Sequence, residues 1–547
     1  MAPITLRRII TPATYALLSL AIVGPWLHPG YIFALDMVFT PHLRMPETLS
    51  SSYLFHAFLH VVNYVLPSNL IQKLLLFALF FLSGLGMHRL ARQLSAGRAG
   101  AYIAGVCYAV NPFVYDRLMT GQYSVLLGYA LLPFFVRSLL AFLDKPAFRQ
   151  SLRLALWATL VGVISIHTLG PIAVIALIGG TVWFVKNRHT HAWKKAFGQW
   201  SGAGVGMFAL FNCYWLVPLL FGKGSTAEQI ASFSSGDTTA FATIGSSFVA
   251  KLLHVLSLRG FWAENRDLYL QPNQQVGVWG IVLLLFWVLV IFGVIGLWRQ
   301  KRRALAVLLV GIILSGSLLA VGPNFMHDVP LLAGFREPQK YASMVALGFA
   351  VLIGVSATKL IRFVRNEFDS PVTAGFAAGL VLLIPAVLAS TIFWGARGQL
   401  VARNYPAKWA AINNQLSDDR DNFNTLFLPW HLYMRFGFAD RVITHPGPAF
   451  FDKTVLVSDQ AELGDTAPVH PTSTTQKLDQ LLPHAAENPD FAKQLADLNI
   501  KYIILDHEED YQDYDYLQTM PDLKRISQKG TLELYQNKLY GEAHETH

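Results

Sequence analysis

Long apolar stretches alternate with short, mostly basic polar ones through the first 394 residues of the chain. Eleven such stretches lie at about 11–27, 69–88, 99–115, 123–143, 153–168, 171–186, 199–221, 276–298, 304–322, 341–361 and 372–394. They run 16 to 23 residues, about the length that crosses the ~30 Å hydrocarbon layer as a helix. Two segments between them are long and amphipathic. Residues 28–68 contain SYLFHAFLHVVNYVLP, and residues 223–275 contain AFATIGSSFVAKLLHVLSLRGFW followed by the polar AENRDLYLQPNQQ. Both predict helices lying in the membrane interface. Beyond residue 394 the period changes. Short β-like runs (TLFLPW at 425–430, IKYIILD at 500–506, LELY at 532–535) alternate with helix-like PAKWAAINNQL and NPDFAKQLADL, which predicts a small α/β domain. The fold class is therefore an α-helical polytopic membrane protein of about 11 spans, residues 1–394, followed by a C-terminal α/β domain, residues 395–547.

Composition agrees with this division. The chain is 53% hydrophobic and 14% charged, against about a quarter charged in soluble proteins, which excludes an ordinary soluble enzyme. Its net charge of +9 would in a soluble chain raise the question of a nucleic-acid partner. The distribution removes that reading. Residues 395–547 carry 14 basic and 22 acidic side chains, and residues 1–394 carry 29 and 12. With the N-terminus in the cytoplasm, 19 of those 29 fall on the inner side, among them Arg89, Arg92, Lys194, Lys195, Arg302 and Arg303. The positive-inside bias thus predicts a multi-pass cell-membrane protein with a cytoplasmic N-terminus. An odd span number then places the C-terminal domain outside. No small-x-small site follows Trp26, so the first apolar block is read as an uncleaved span. Cys107 and Cys213 both fall inside spans and imply no disulfide framework.

The few acidic residues of the membrane part fall mostly on the outer side, so carboxylate chemistry would face outward. Asp36 stands in GYIFALDMVFTPH, an apolar segment where an ionised group costs free energy unless solvated or paired. It is either a functional carboxylate or one that pairs with Arg44 or caps a helix. Asp116 and Arg117 stand in NPFVYDRLMTGQYS between Pro112 and Gly121. They either form an adjacent ion pair that shapes a turn, or Asp116 faces Asp36 across a cavity, binding a divalent cation or positioning an acceptor. Arg336, Glu337 and Lys340 stand in LLAGFREPQKYASM. A guanidinium and an ammonium one turn apart suit a phosphate, and equally suit snorkelling to lipid headgroups. Other patterns carry less. His56 and His60 share a helix face without a third ligand, GAGVG at 202–206 reads as small-residue helix packing, and the D-x-D of Asp513 and Asp515 reads as part of a solvated acidic loop. P-loop and GxSxG strings are absent from the sequence.

With its long first outer loop bearing Asp36, its second long outer loop after the seventh span and its terminal outer domain, the organisation resembles the GT-C superfamily of integral-membrane glycosyltransferases. The strings YAVNPFVYDRLMTGQ, GFREPQKY, YPAKWAAINNQL and FLPWH look like its poorly characterised prokaryotic branch. The WWDYG string of oligosaccharyltransferases is absent. The resemblance implies that Asp36 is the first-loop catalytic carboxylate, Asp116 the second-loop acid and Arg336 the contact to a lipid-linked phosphate, with Lys340 beside it. It further implies hexosyl or pentosyl transfer, with inversion, from a polyprenyl-phosphate donor to an extracytoplasmic glycan, lipid or protein. A divalent cation (Mg or Mn) would need more than the lone Asp36, which has no adjacent acid. The alternatives from other classes are a non-catalytic transporter or flippase of lipid-linked glycans, and a structural assembly factor in envelope polymer export.

Overall fold

The computed structural model describes residues 2–94, 96–221, 239–322, 337–462 and 472–541. Every one of the eleven apolar stretches folds as helix: α1 (Ala2–Val23), α3 (Ser68–Gln93), α4 (Arg98–Ala109), α6 (Tyr123–Asp144), α7 (Phe148–Ile164), α8 (Leu169–Lys186), α9 (His191–Phe211) with α10 (Cys213–Phe221), α12 (Trp279–Arg299), α13 (Arg303–Val321), α14 (Ala342–Phe368) and α15 (Pro371–Leu388). Among the described residues eight of these are long and apolar enough to cross a membrane, and α9 with α10 makes a ninth only as a pair bent by 82°. The helix α14 is the centre of the bundle. All of Ala342–Ala357 is buried, against α4, α12 and α13, as expected of a helix that is apolar all round. The predicted interfacial segments supply α2 (Tyr53–Asn63) and α11 (Phe248–Leu256). Leu54, Phe58 and Val61 of α2 and Phe248, Val249 and Leu253 of α11 are exposed.

Three stretches depart from simple spans, two of them at an asparagine. The stretch at 99–115 stops after 12 residues of α4, about 18 Å of helix, because the residue before a proline is pushed out of the helical region. That residue, Asn111, has φ −158° and ψ 165°. Its Nδ2 donates to the carbonyls of Cys107 and Tyr108 at 3.1 and 2.8 Å, and its Oδ1 accepts from the Val114 amide at 3.1 Å. One side chain thus closes α4 and opens α5 (Pro112–Met119), with proline at the favoured first position. The stretch at 153–168 ends at Ser165, leaving α7 with 17 residues. In the stretch at 199–221 the bend comes at Asn212, whose amide donates to Thr159 Oγ1 at 2.8 Å and whose Oδ1 accepts from Trp215 Nε1 at 2.9 Å.

The C-terminal domain holds a five-stranded sheet in the order β6-β3-β7-β9-β8. Its strands are β3 (Asn424–Leu428), β6 (Thr454–Leu456), β7 (Ile500–Asp506), β8 (Leu523–Lys529) and β9 (Leu532–Asn537). The first three pair in parallel, and β9 is antiparallel to β7 and β8. One face buries Leu426, Leu428, Ile503 and Leu505 under α17 (Ser473–Leu481) and α18 (Phe491–Asp497). The other buries Phe427, Tyr502 and Ile504 in a core that contains Trp409 of α16 (Ala407–Ser417) and continues into the membrane part. Burial on both faces explains why IKYIILD reads as a continuous apolar run.

Two small sheets place this domain against the first long loop. Strand β1 (Tyr31–Ile32) pairs antiparallel with β2 (Ala402–Arg403). A hairpin of β4 (Tyr433–Phe436) and β5 (Arg441–Thr444) reaches the loop as well. The Thr444 amide donates to the Leu35 carbonyl at 2.8 Å and Arg441 donates to the Phe33 carbonyl at 3.2 Å.

Candidate active site

Asp36 sits at the tip of a tight turn closed by an Ala34–Met37 bridge. The turn lies on the junction of α5 and α6, where the Asp36 amide donates to the Thr120 carbonyl at 2.9 Å. Gly121 makes this approach possible. It has φ +77°, and a Cβ there would stand 2.4 Å from the Met37 nitrogen. Gly121→Ala is therefore expected to cost about 1–3 kcal/mol and to push the Asp36 turn outward. A melting temperature that matches the wild type would refute this.

Asp36 is exposed to solvent, yet protein atoms crowd densely around its carboxyl. Tyr433 Oη donates to its Oδ1 at 2.9 Å, and the Gln122 amide faces the carboxyl and favours its ionised form. Asp36 forms no ion pair with Arg44 or any other residue among those described. Burial, and then the neighbouring Glu337 carboxylate, push its pKa up to about 6 against the opposing pull of Tyr433, Lys340 and Gln122. At neutral pH it is an ionised carboxylate with a heightened proton affinity.

Gln122 belongs to a buried charge network next to Asp36. Its Nε2 donates to both Glu337 oxygens, at 3.0 and 3.2 Å, and its Oε1 accepts from Arg117 Nη1 at 2.5 Å. Arg117 is fully buried. It pairs with Glu337, donates to Gln339 Oε1 at 2.5 Å and lies 3.9 Å from the centre of the Phe261 ring. Lys340 Nζ stands 3.5 Å from Glu337 Oε2. Burial pushes Glu337 up, but Lys340, Arg117 and the more distant His167 outweigh it and hold the carboxyl below the usual range. Two described cations, Arg117 and Lys340, thus flank the Glu337 carboxylate.

Asp116 is on the same short helix and turned elsewhere. It is buried, its Oδ1 accepts from Tyr269 Oη at 3.2 Å, and its neighbour is Glu264. Burial and Glu264 raise its pKa well above the usual carboxylate range. Arg117 pairs with Glu337 across the fold, so the adjacent ion pair expected of Asp116 and Arg117 does not form. Arg336 lies outside the described residues. Of the candidates Asp36, Asp116, Arg336 and Lys340, the fold brings Asp36 and Lys340 together around Glu337; sequence reasoning missed Gln122 and Tyr433. Gln122 stands in the quoted DRLMTGQYS beside the glycine that marks the turn, whereas no local signal marks Tyr433.

The donor set does not suit a divalent cation, which takes about six oxygen ligands. Of the three carboxylates, one is open, one is committed to two cations and one is buried beside Glu264. No group of three or more metal-ligating side chains gathers among the described residues. His60 hydrogen-bonds the Leu43 carbonyl and Tyr64 Oη, which gives it a structural role. The acidic run after β7 is put to use through Glu508, Glu509 and Asp510, which bond the Gly437 amide, the Arg435 amide and the His431 ring.

Comparison with known proteins decides the family. The family model for the N-terminal GT-C domain of α-(1→3)-arabinofuranosyltransferase matches residues 51–545. The chain belongs to this GT-C family. The same fold is found in the cryo-EM structure of the arabinofuranosyltransferase AftD from mycobacteria, with a TM-score of 0.67 and 18% identity over 96% of this chain and 39% of that one. A mutant of AftD gives a TM-score of 0.65 and 17% identity over 96% and 41%. The GT-C domain described here thus spans about two fifths of the length of the solved relatives. No curated protein matches it.

Proposed function

We propose that this GT-C protein transfers a pentofuranosyl group, arabinofuranose by the name of its family, from a polyprenyl-phosphate donor to a hydroxyl of an extracytoplasmic glycan. Asp36 is the general base. It takes the proton of the acceptor hydroxyl as that oxygen bonds to the anomeric carbon. The bond from that carbon to the phosphate oxygen breaks with its electron pair, and the configuration inverts. The polyprenyl phosphate leaves as an anion and needs no strong acid. The Lys340 ammonium stabilises that developing charge, and Arg336 belongs beside it in sequence. The basic inner loops support an orientation with the cytoplasm at the N-terminus and the C-terminal domain outside, the side on which a lipid-linked donor is used.

The observation that carries this reading is an exposed carboxylate, Asp36, held by Tyr433 beside the Arg117, Glu337 and Lys340 network, on the first long loop of a GT-C family member. The test is incubation of the purified full-length protein with polyprenyl-phosphate arabinofuranose and with hexose analogues, in the presence of an oligosaccharide acceptor. Glycan extended from the pentosyl donor is expected. Movement of intact lipid-linked sugar across a vesicle membrane without transfer would overturn the enzyme reading in favour of a flippase. The pH dependence follows from the sign of the shift. A base with pKa about 6 is protonated below that pH, so kcat/KM should be level near neutrality and fall about tenfold per pH unit below about 6. A profile flat down to pH 4.5 would rule out Asp36 as the base.

A further inference from the structure

We propose that Tyr433, carried by the C-terminal domain, is a positioning residue for Asp36: its hydroxyl holds Oδ1 and leaves the remaining carboxylate lone pairs for the acceptor's proton. The inference rests on the reading of Asp36 as the base and deepens it, because it makes the C-terminal domain part of the site.

The geometry is a clamp on one short turn. From the membrane side, Thr120 accepts the Asp36 amide and Gly121 admits the turn. From the other side, the hairpin of β4 and β5 grips the segment leading into the tip, with Arg441 donating to the Phe33 carbonyl and Thr444 to the Leu35 carbonyl, then delivers Tyr433 to the Asp36 side chain at 2.9 Å. The hairpin is itself braced. The Arg435 amide donates to Glu509 at 2.6 Å and the Gly437 amide to Glu508 at 3.0 Å, while His431 bridges Glu462 and Asp510 at 2.8 and 3.0 Å. A rigid donor aimed at an ionised acceptor favours the ionised form. The other groups that face Asp36 are Gln122 from the start of α6, and Glu337 and Lys340 from the turn before α14. Those that face Tyr433 are Thr444 and Glu337. Glu337 raises the proton affinity of Asp36 whereas Tyr433, Lys340 and Gln122 lower it, so removal of the phenol hydroxyl has a defined sign.

Tyr433→Phe should move the acid limb of kcat/KM upward by about one pH unit and lower kcat more than it changes KM. Replacement of Tyr433 by 3-fluorotyrosine, which is nearly isosteric and a stronger donor, should move the limb downward. A purely structural role would change rates without moving the limb. Asp36→Asn serves as the reference. If Asp36→Asn is inactive and neither Tyr433 variant moves the limb, the positioning role is wrong and the base assignment stands. If Asp36→Asn keeps its activity, the base assignment itself has failed. Should Tyr433→Phe not fold, the fluorotyrosine protein decides alone: an unmoved limb overturns the inference.

Discussion

Asp36→Asn is expected to lower sugar transfer by ~10²- to 10⁴-fold while the protein stays folded. Asparagine has nearly the shape of aspartate, and its carbonyl oxygen can still accept from Tyr433, so the turn keeps its clamp. What is lost is the ability to take a proton. The stability side has a definite sign as well. Because the folded pKa of Asp36, about 6, lies above its ordinary value, folding favours the protonated form. That preference is present below the ordinary pKa and is lost as pH rises through about 6, so at neutral pH the carboxylate is a burden on the fold. Neutral asparagine removes that burden, and the melting temperature in detergent should hold or rise. Initial rates with a polyprenyl-phosphate pentose donor, set beside a melting curve, separate the two effects. A variant that transfers sugar within about threefold of the wild type would sink the base assignment, and one that is inactive because it melts early would sink the stability argument.

The sequence displays some of this architecture openly and hides the rest, and the boundary is physical. Lipid demands continuous apolar runs, so the positions of the helices are visible in hydropathy alone. Hydropathy is blind to direction. The run through YAVNPFVY stays apolar across Asn111, although the Asn-Pro pair already marks the end of α4, and the bend at Asn212 has neither glycine nor proline beside it. The same holds within the C-terminal domain. TLFLPW, IKYIILD and LELY lie in the middle of the sheet or beside it and bury apolar side chains, so β3, β7 and β9 are legible. The edge strands β6 and β8 and the hairpin of β4 and β5 carry mixed patterns such as YMRF and RVIT and are not. At the site, Asp36 is conspicuous because an acid in an apolar segment has to be explained. Its environment comes from far along the chain: Tyr433 is 397 residues away, and Glu337 is 220 residues from its partner Arg117. A single sequence contains both ends of such a contact and nothing that joins them.

The pair formed by Arg117 and Glu337 should be the most destabilising charge to break in the described molecule. Arg117→Leu removes a fully buried guanidinium and leaves Glu337 under the same burial with Lys340 as its remaining close cation. Removing one partner of a buried pair typically costs ~3–5 kcal/mol, chiefly because the other charge is left uncompensated. Leucine replaces part of the packing against Phe261 and none of the hydrogen bonds to Gln122 and Gln339. The loss also reaches the site, since Gln122 is held by Arg117 on one side and bonds Glu337, the carboxylate neighbouring Asp36, on the other. A marked fall in melting temperature is therefore expected, with a loss of transfer in the fraction that remains folded. The double variant Arg117→Leu with Glu337→Gln isolates the cause, because it removes the stranded charge and keeps an amide for Gln122 to bond. It should recover a large part of the lost stability, giving a coupling of at least about 1 kcal/mol. If the double variant melts where the two single losses added together would put it, the two residues are not coupled and the charge network does not hold the turn of Glu337 against α5.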